Sequence, residues 1–129
     1  MKTKRYTCPV IMIMALMIVV TASAGQLADS VFDEATVSLY ANKTAYFSAS
    51  TINVASSIQV TGVKLYKMIG NTWQYIQDLP VPSDVATNDV FFSASYDYSS
   101  YIGTGEYRLK VTFNADGHGI TRYSNSRTF

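Results

Sequence analysis

His118 is the only histidine in the chain, and it follows Asp116 by two residues in Asp116-Gly117-His118-Gly119. A histidine beside a carboxylate is the arrangement that activates a nucleophile for hydrolysis. A glycine-containing hairpin turn is open to solvent, however, and does not bury or orient such a pair. The chain also lacks the G-x-S-x-G motif of a nucleophilic serine. The sequence therefore predicts that His118 is a solvated turn residue, and it indicates no catalytic residue.

Acidic side chains are the other candidates for chemistry, either as an acid and base pair or as metal ligands. The closest pairs are Asp33 with Glu34 and Asp84 with Asp89. Neither pair lies in a segment that predicts burial, so raised pKa values are not expected. The stretch between Asp84 and Asp89 offers oxygen ligands to calcium but does not have EF-hand spacing. We therefore expect no enzyme activity, no metal site and no cofactor.

Aromatic side chains are frequent, with ten Tyr, six Phe and one Trp. This number exceeds what a single small core can enclose. Tyr96, Tyr98 and Tyr101 alternate with polar residues in a predicted turn region. Tyrosine among serines resembles an antibody paratope, because tyrosine supplies contact area and serine supplies adaptable hydrogen bonds. These three tyrosines are predicted to bind an extracellular protein or a glycan. The alternative is that Tyr96 is a core residue and the other two cap the end of the domain.

A second candidate site consists of Trp73 and Tyr75, which lie on the same side of a predicted strand. If both rings are exposed, they form a surface for carbohydrate binding. This gives a second class of ligand for the same chain.

The elements that position these residues are predicted to be β-strands. In the segment 106–113, Tyr107, Leu109, Val111 and Phe113 alternate with charged or polar residues, which indicates a strand with one buried face. Similar patterns predict strands at 36–40, 44–54, 58–68, 72–78, 89–96 and 119–129. Hairpins are expected at 69–71 and 116–119, and a β-bulge is expected at Gly62. Seven short strands favour a single antiparallel β-sandwich at 35–129, preceded by an arm at 25–34.

The stretch Gly105-Glu106-Tyr107-Arg108-Leu109 resembles the penultimate strand of immunoglobulin and fibronectin type III domains. That resemblance implies an immunoglobulin-like sandwich in which the Tyr107 hydroxyl bonds to nearby backbone, the tyrosine corner. The segment from Val63 to Phe129 is also similar to small secreted proteins of unknown function from Gram-positive bacteria. The two cysteines of immunoglobulin domains are missing, and Trp73 lies on the fourth predicted strand rather than the third.

The first 24 residues have the pattern of a secretory signal peptide. Lys2, Lys4 and Arg5 precede an apolar run at 10–20 that ends in small residues, which predicts cleavage between Ala24 and Gly25. The apolar run is shorter than the roughly 20 residues of a membrane-spanning helix. We therefore expect a secreted, extracellular protein that is not membrane-anchored after cleavage. The only cysteine, Cys8, would be removed with the signal, which fits a Gram-positive source.

The charge of the mature chain argues against a nucleic-acid partner. Cleavage would leave seven basic side chains against nine acidic ones, with the basic residues scattered along the sequence. The sequence thus favours a non-enzymatic module that binds an unknown extracellular partner. The alternatives are a carbohydrate-binding module and a structural component that assembles through the edge strand at 119–129.

Overall fold

The computed structural model describes residues 29–129. This part of the chain forms seven antiparallel strands and contains no helix. The all-β prediction is therefore confirmed, while the predicted signal peptide, with Ala24 and Gly25, lies outside the described residues. The strands are β1 (Phe32–Leu39), β2 (Thr44–Ile69), β3 (Thr72–Leu79), β4 (Ala86–Asp97), β5 (Glu106–Ala115), β6 (His118–Tyr123) and β7 (Arg127–Thr128).

The strand β2 runs through both halves of the fold. Its first half pairs with β1 on one side and β4 on the other, and its second half pairs with β3 and β5. The strand β5 then pairs with β6 and β7. The sequence predicted two strands here, at 44–54 and 58–68, and this division is wrong. The strand continues because Ala55, Ser57 and Ile58 stay paired with β4. The Asp116 carboxylate also accepts hydrogen bonds from the amides of Ser56 and Ser57, at 3.1 and 3.0 Å.

One apolar core joins the two halves of this sandwich-like fold. Phe47 of β2 and Phe113 of β5 meet edge to face, with ring centroids 6.5 Å apart. The residues predicted to face inward, Phe47, Phe92, Tyr107 and Phe113, are all buried. Every second residue of β5 is buried in the core, which leaves the alternate side chains of β5 on the outer face.

The strand β1 begins at Phe32, four residues before its predicted start, and so includes the last part of the predicted arm at 25–34. Its pairing with β2 shifts register between Phe32 and Glu34. Phe32 and Ala35 are both buried, whereas the two acidic residues between them are exposed. This bulge interrupts the two-residue period, and for that reason the sequence pattern did not reveal the start of the strand.

The positions of the turns were predicted more accurately than the ends of the strands. The predicted hairpins are confirmed by the pairs Ile69 with Thr72 and Ala115 with His118. The bulge at Gly62 is confirmed by a register shift between Val60 and Gly62.

The strand predicted at 119–129 is divided into β6 and β7. Between these two strands, Ser124 exchanges hydrogen bonds with Leu109: its amide donates to the Leu109 carbonyl at 2.9 Å, and the Leu109 amide donates to its hydroxyl at 2.8 Å. The chain therefore stays attached to β5 where the regular ladder stops.

Candidate binding face

The outer face of the sheet formed by β3, the second half of β2, β5 and β6 carries aromatic and cationic side chains. Val63, Leu65, Leu109 and Val111 of these strands point into the core, so the residues that alternate with them point outward. Residues opposite each other in an antiparallel pair share a face, and register therefore groups Lys64 with Lys110 and Tyr66 with Arg108. The cation–aromatic face, as we call it, consists of Lys64, Tyr66, Trp73, Tyr75, Arg108, Lys110 and Tyr123.

The guanidinium group of Arg108 lies between two aromatic rings. Its Cζ atom is 4.5 Å from the centroid of the Trp73 ring and 4.4 Å from the centroid of the Tyr123 ring. Each such cation–π contact contributes about 0.5–2 kcal/mol, depending on desolvation. Arg108 Nε is buried and has no hydrogen-bond partner among residues 29–129. The stack holds three side chains from three strands in one arrangement.

Tyr66 connects this stack to the rest of the face. Its ring meets the Tyr75 ring edge to face at 5.9 Å and the Tyr123 ring edge to face at 6.5 Å. Tyr75 and Tyr123 nevertheless keep 50% and 49% of their surface exposed. The rings are thus fixed by one another while much of their area stays accessible to a partner.

Asp78 organises one side of the face. Its Oδ1 atom accepts hydrogen bonds from Lys64 Nζ at 2.8 Å and from the Tyr75 hydroxyl at 2.9 Å. The hydrogen bond from Lys64 is the main reason that the pKa of Asp78 is lowered. The hydrogen bond to Asp78 raises the pKa values of both Lys64 and Tyr75. All three groups are solvent-exposed, so this pairing orients the side chains more than it stabilises the fold.

A groove of about 330 Å³ opens beside these residues on the same face. Gly62, at the bulge of β2, forms part of its floor because it has no side chain to fill the space. Asp78, Leu79 and Val81 line one side, and Lys110 and Thr112 line the other. The groove and the cation–aromatic face share Lys64 and Lys110.

Of the predicted tyrosine cluster, Tyr98 is not on the surface. It is fully buried, and its hydroxyl donates to the Pro80 carbonyl oxygen at 2.7 Å. The prediction that Tyr98 contacts a partner is therefore wrong, because its ring closes the core beneath the loop that follows β3. Tyr96 is half-buried and stacks on Tyr98 at 4.7 Å, while Tyr101 is 39% exposed. Of these three tyrosines, Tyr101 is the most exposed.

Trp73 and Tyr75 do lie on one face, as the sequence predicted, but a cation covers part of each ring. Arg108 stacks on Trp73, which is half-buried, and Lys64 Nζ lies 5.3 Å from the centroid of the Tyr75 ring. Carbohydrate-binding platforms need open ring faces. Here a cation lies over each of these two rings.

Tyr107 is buried, and its hydroxyl donates to the Thr104 carbonyl oxygen at 3.4 Å. It therefore bonds to backbone three residues upstream in the loop before β5, which is the kind of contact that the resemblance implied.

His118 is exposed at the start of β6, with its ring 6.2 Å from the ring of Phe32. The Asp116 carboxylate is directed to the Ser56 and Ser57 amides.

In the described part of the chain, no three His, Cys, Asp or Glu side chains come together as metal ligands. Residues 29–129 also contain no helix with the length and apolar character needed to cross a membrane.

Five members of the face were not predicted from the sequence: Lys64, Tyr66, Arg108, Lys110 and Tyr123. Alternation in β5 placed Arg108 and Lys110 on one side of the strand, and that was the available signal. Their grouping with Lys64 depends on strand register. The basic residues are scattered along the sequence, but the fold brings these three together on one face.

Among known proteins, the chain matches no protein-family model and no curated protein.

Proposed function

We propose that this protein is a secreted, non-enzymatic binding module that contacts a protein partner through the cation–aromatic face. The observation that carries the proposal is Arg108 held between Trp73 and Tyr123. Trp, Tyr and Arg are the residue types that contribute most to binding at protein interfaces. Because Trp73 and Tyr123 are already packed against Arg108, these side chains lose little conformational entropy on binding.

An immunoglobulin-like sandwich of the kind found in small secreted Gram-positive proteins is consistent with this proposal. The described residues form a sandwich-like, all-antiparallel fold, and such scaffolds present rigid sheet faces to partners. The signal-peptide pattern at 1–24 supports an extracellular site of action. An exposed face of stacked rings and cations is better suited to binding than to catalysis.

Site-specific photo-cross-linking tests the proposal. A benzophenone amino acid replaces Tyr75 on the face, Tyr46 on the outer side of the other half of the sandwich, or Tyr101 at its end. Each variant is irradiated in its native host, and cross-linked products are identified by mass spectrometry. We expect one protein to cross-link from position 75 and not from position 46. Cross-linking from position 101 alone, or equally from all three, contradicts the proposal.

A second candidate function, self-assembly, is favoured by a different observation. The strand β4 pairs only with β2 among the described strands, so its other edge has no partner strand, and Phe91 on that strand is 49% exposed. The Asp89 carboxylate accepts hydrogen bonds from the amides of Val90 and Phe91. Strand β4 contains no lysine or proline, the residues that commonly protect an edge. Assembly through the strand at 119–129 stays a separate prediction, because β6 also pairs with only one of the described strands, β5. Light scattering tests it, because a mass that stays monomeric over a wide concentration range excludes assembly.

A further inference from the structure

We propose that the groove beside the cation–aromatic face binds a carboxylate, so that the partner contacts this protein through an acidic segment. This inference rests on the proposed function and states the chemistry of the partner. It begins with the pairing of Lys64 and Lys110, which are directly opposite each other on neighbouring strands. Like charges in such positions destabilise a sheet. A site that carries this cost is expected to have a functional reason.

Among the described residues, a carboxylate pairs with only one of the three cations of the face. Asp78 pairs with Lys64 at 2.8 Å, but no carboxylate among residues 29–129 is within ion-pair distance of Arg108 or Lys110. Lys110 Nζ instead lies 5.9 Å from the centroid of the Tyr123 ring. Arg108 and Lys110 therefore make this face locally positive, which favours a negatively charged ligand.

The groove has the size and lining for a short acidic group. Its volume of about 330 Å³ is at the lower end of the range for small-molecule sites, and it suits one or two side chains of a partner. Lys64 and Lys110 provide ammonium donors and Thr112 a hydroxyl donor around it, whereas the Thr61 hydroxyl already donates to the Thr112 carbonyl oxygen. A carboxylate placed above Gly62 would thus meet charge-assisted hydrogen bonds from two strands.

The observations favour an acidic protein segment over an acidic polymer. Three cations separated by aromatic rings do not form the continuous basic track along which a regularly charged polyanion is bound. The Trp, Tyr and Arg side chains that surround the groove instead match the composition of protein-binding surfaces. An acidic glycan is therefore the competing outcome in the test.

The test uses a phage-displayed library of random peptides, selected on the purified full chain. We expect selected peptides to be enriched in Asp and Glu and to bind more weakly as the salt concentration rises. By fluorescence polarisation, Lys110→Gln should weaken binding by about 10-fold, and Gly62→Val should do the same by filling the groove. Asp78→Asn should strengthen binding about threefold, because it removes the carboxylate that competes for Lys64.

Controls separate the groove from the face and from the fold. Arg122→Gln changes a half-buried cation that makes no ring contact with the face, and we expect the affinity to stay within about twofold. A Cβ atom at Gly62 would approach no closer than 3.8 Å, to Thr112 Cβ, so Gly62→Ala is a milder version of the same test that should fold normally.

Three outcomes overturn the inference in distinguishable ways. Neutral or basic peptides that still lose affinity in Arg108→Ala would disprove the acidic segment but leave the face as the binding site. Peptides whose affinity neither Trp73→Ala nor Arg108→Ala changes would disprove the proposed function itself. Failure to select any peptide, together with binding of polygalacturonate that Lys110→Gln weakens, would show that the ligand is an acidic glycan.

Discussion

The side-chain amide of Asn125 pairs with the main chain of Leu39 as a neighbouring strand would. Its Nδ2 donates to the Leu39 carbonyl oxygen at 3.0 Å, and its Oδ1 accepts from the Leu39 amide at 2.8 Å. Arg127 Nε donates to the same carbonyl oxygen at 3.0 Å. The end of β1 is thus joined to the C-terminal segment without a backbone ladder between them.

Replacing Asn125 should therefore destabilise the fold. Asn125→Ala removes both hydrogen bonds and leaves a partly buried amide at Leu39 without its partner, which should lower the free energy of unfolding by about 1–3 kcal/mol. Urea denaturation followed by tryptophan fluorescence measures this change. Asn53→Ala, at an exposed side chain, is the control. Equal stability of the two variants would show that the Asn125 contact contributes nothing.

Tyr98 should contribute to stability through its hydroxyl as well as its ring. Tyr98→Phe keeps the ring in the core but leaves the Pro80 carbonyl oxygen without its donor, at a cost of about 1–2 kcal/mol. Tyr40→Phe is the matched control, because Tyr40 is 48% exposed. A loss in the control as large as that in Tyr98→Phe would refute the role of the buried hydrogen bond.

Because Tyr98 is buried, the protein should lose stability in alkaline solution. Burial raises the pKa of its hydroxyl above the ordinary value of 10.0, so the native state keeps a proton that the unfolded chain loses. The stabilising contribution is complete below about pH 10 and falls as pH rises further, by about 1.4 kcal/mol per pH unit. Urea midpoints between about pH 9 and 11 should therefore depend less on pH in Tyr98→Phe. Parallel curves for the two proteins would contradict this assignment.

Gly105 should not tolerate a side chain. Its φ of 134° is a conformation that essentially only glycine adopts, and a Cβ atom there would lie 2.7 Å from Lys67 Cε. Gly105→Ala should cost about 1–3 kcal/mol. At Gly119, by contrast, the nearest atom to a Cβ is the Phe113 carbonyl oxygen at 3.7 Å. Gly119→Ala should be neutral or slightly stabilising in thermal unfolding, and similar losses at both glycines would contradict the backbone argument.

The fold was predictable where residues alternate without interruption. In β5 the two-residue period gave both the strand and its buried face. Prediction was less successful where pairing is irregular. The bulge near Glu34 concealed the start of β1. The continuity of β2 depends on pairing with β4 and on the contact of Asp116 with Ser56 and Ser57, and both partners are remote in sequence.

The candidate site was less predictable than the fold. The sequence identified Trp73 and Tyr75 as aromatic residues on one face, but it could not show that Arg108 would cover Trp73. That contact depends on the register of three strands, which local periodicity does not determine. The tyrosine-rich stretch around Tyr98 was misleading, because its composition resembles a paratope while its central ring completes the core.

The most direct measurement of the central claim is the affinity of the cross-linked partner for Arg108→Ala and for its matched control Arg122→Ala. Arg108→Ala removes the cation held between Trp73 and Tyr123, and its dissociation constant should rise by at least about 30-fold, the loss typical of an interface hot spot. Arg122→Ala should bind as the parent does. A folded Arg108→Ala variant with unchanged affinity, or an equal loss in both variants, would contradict the account.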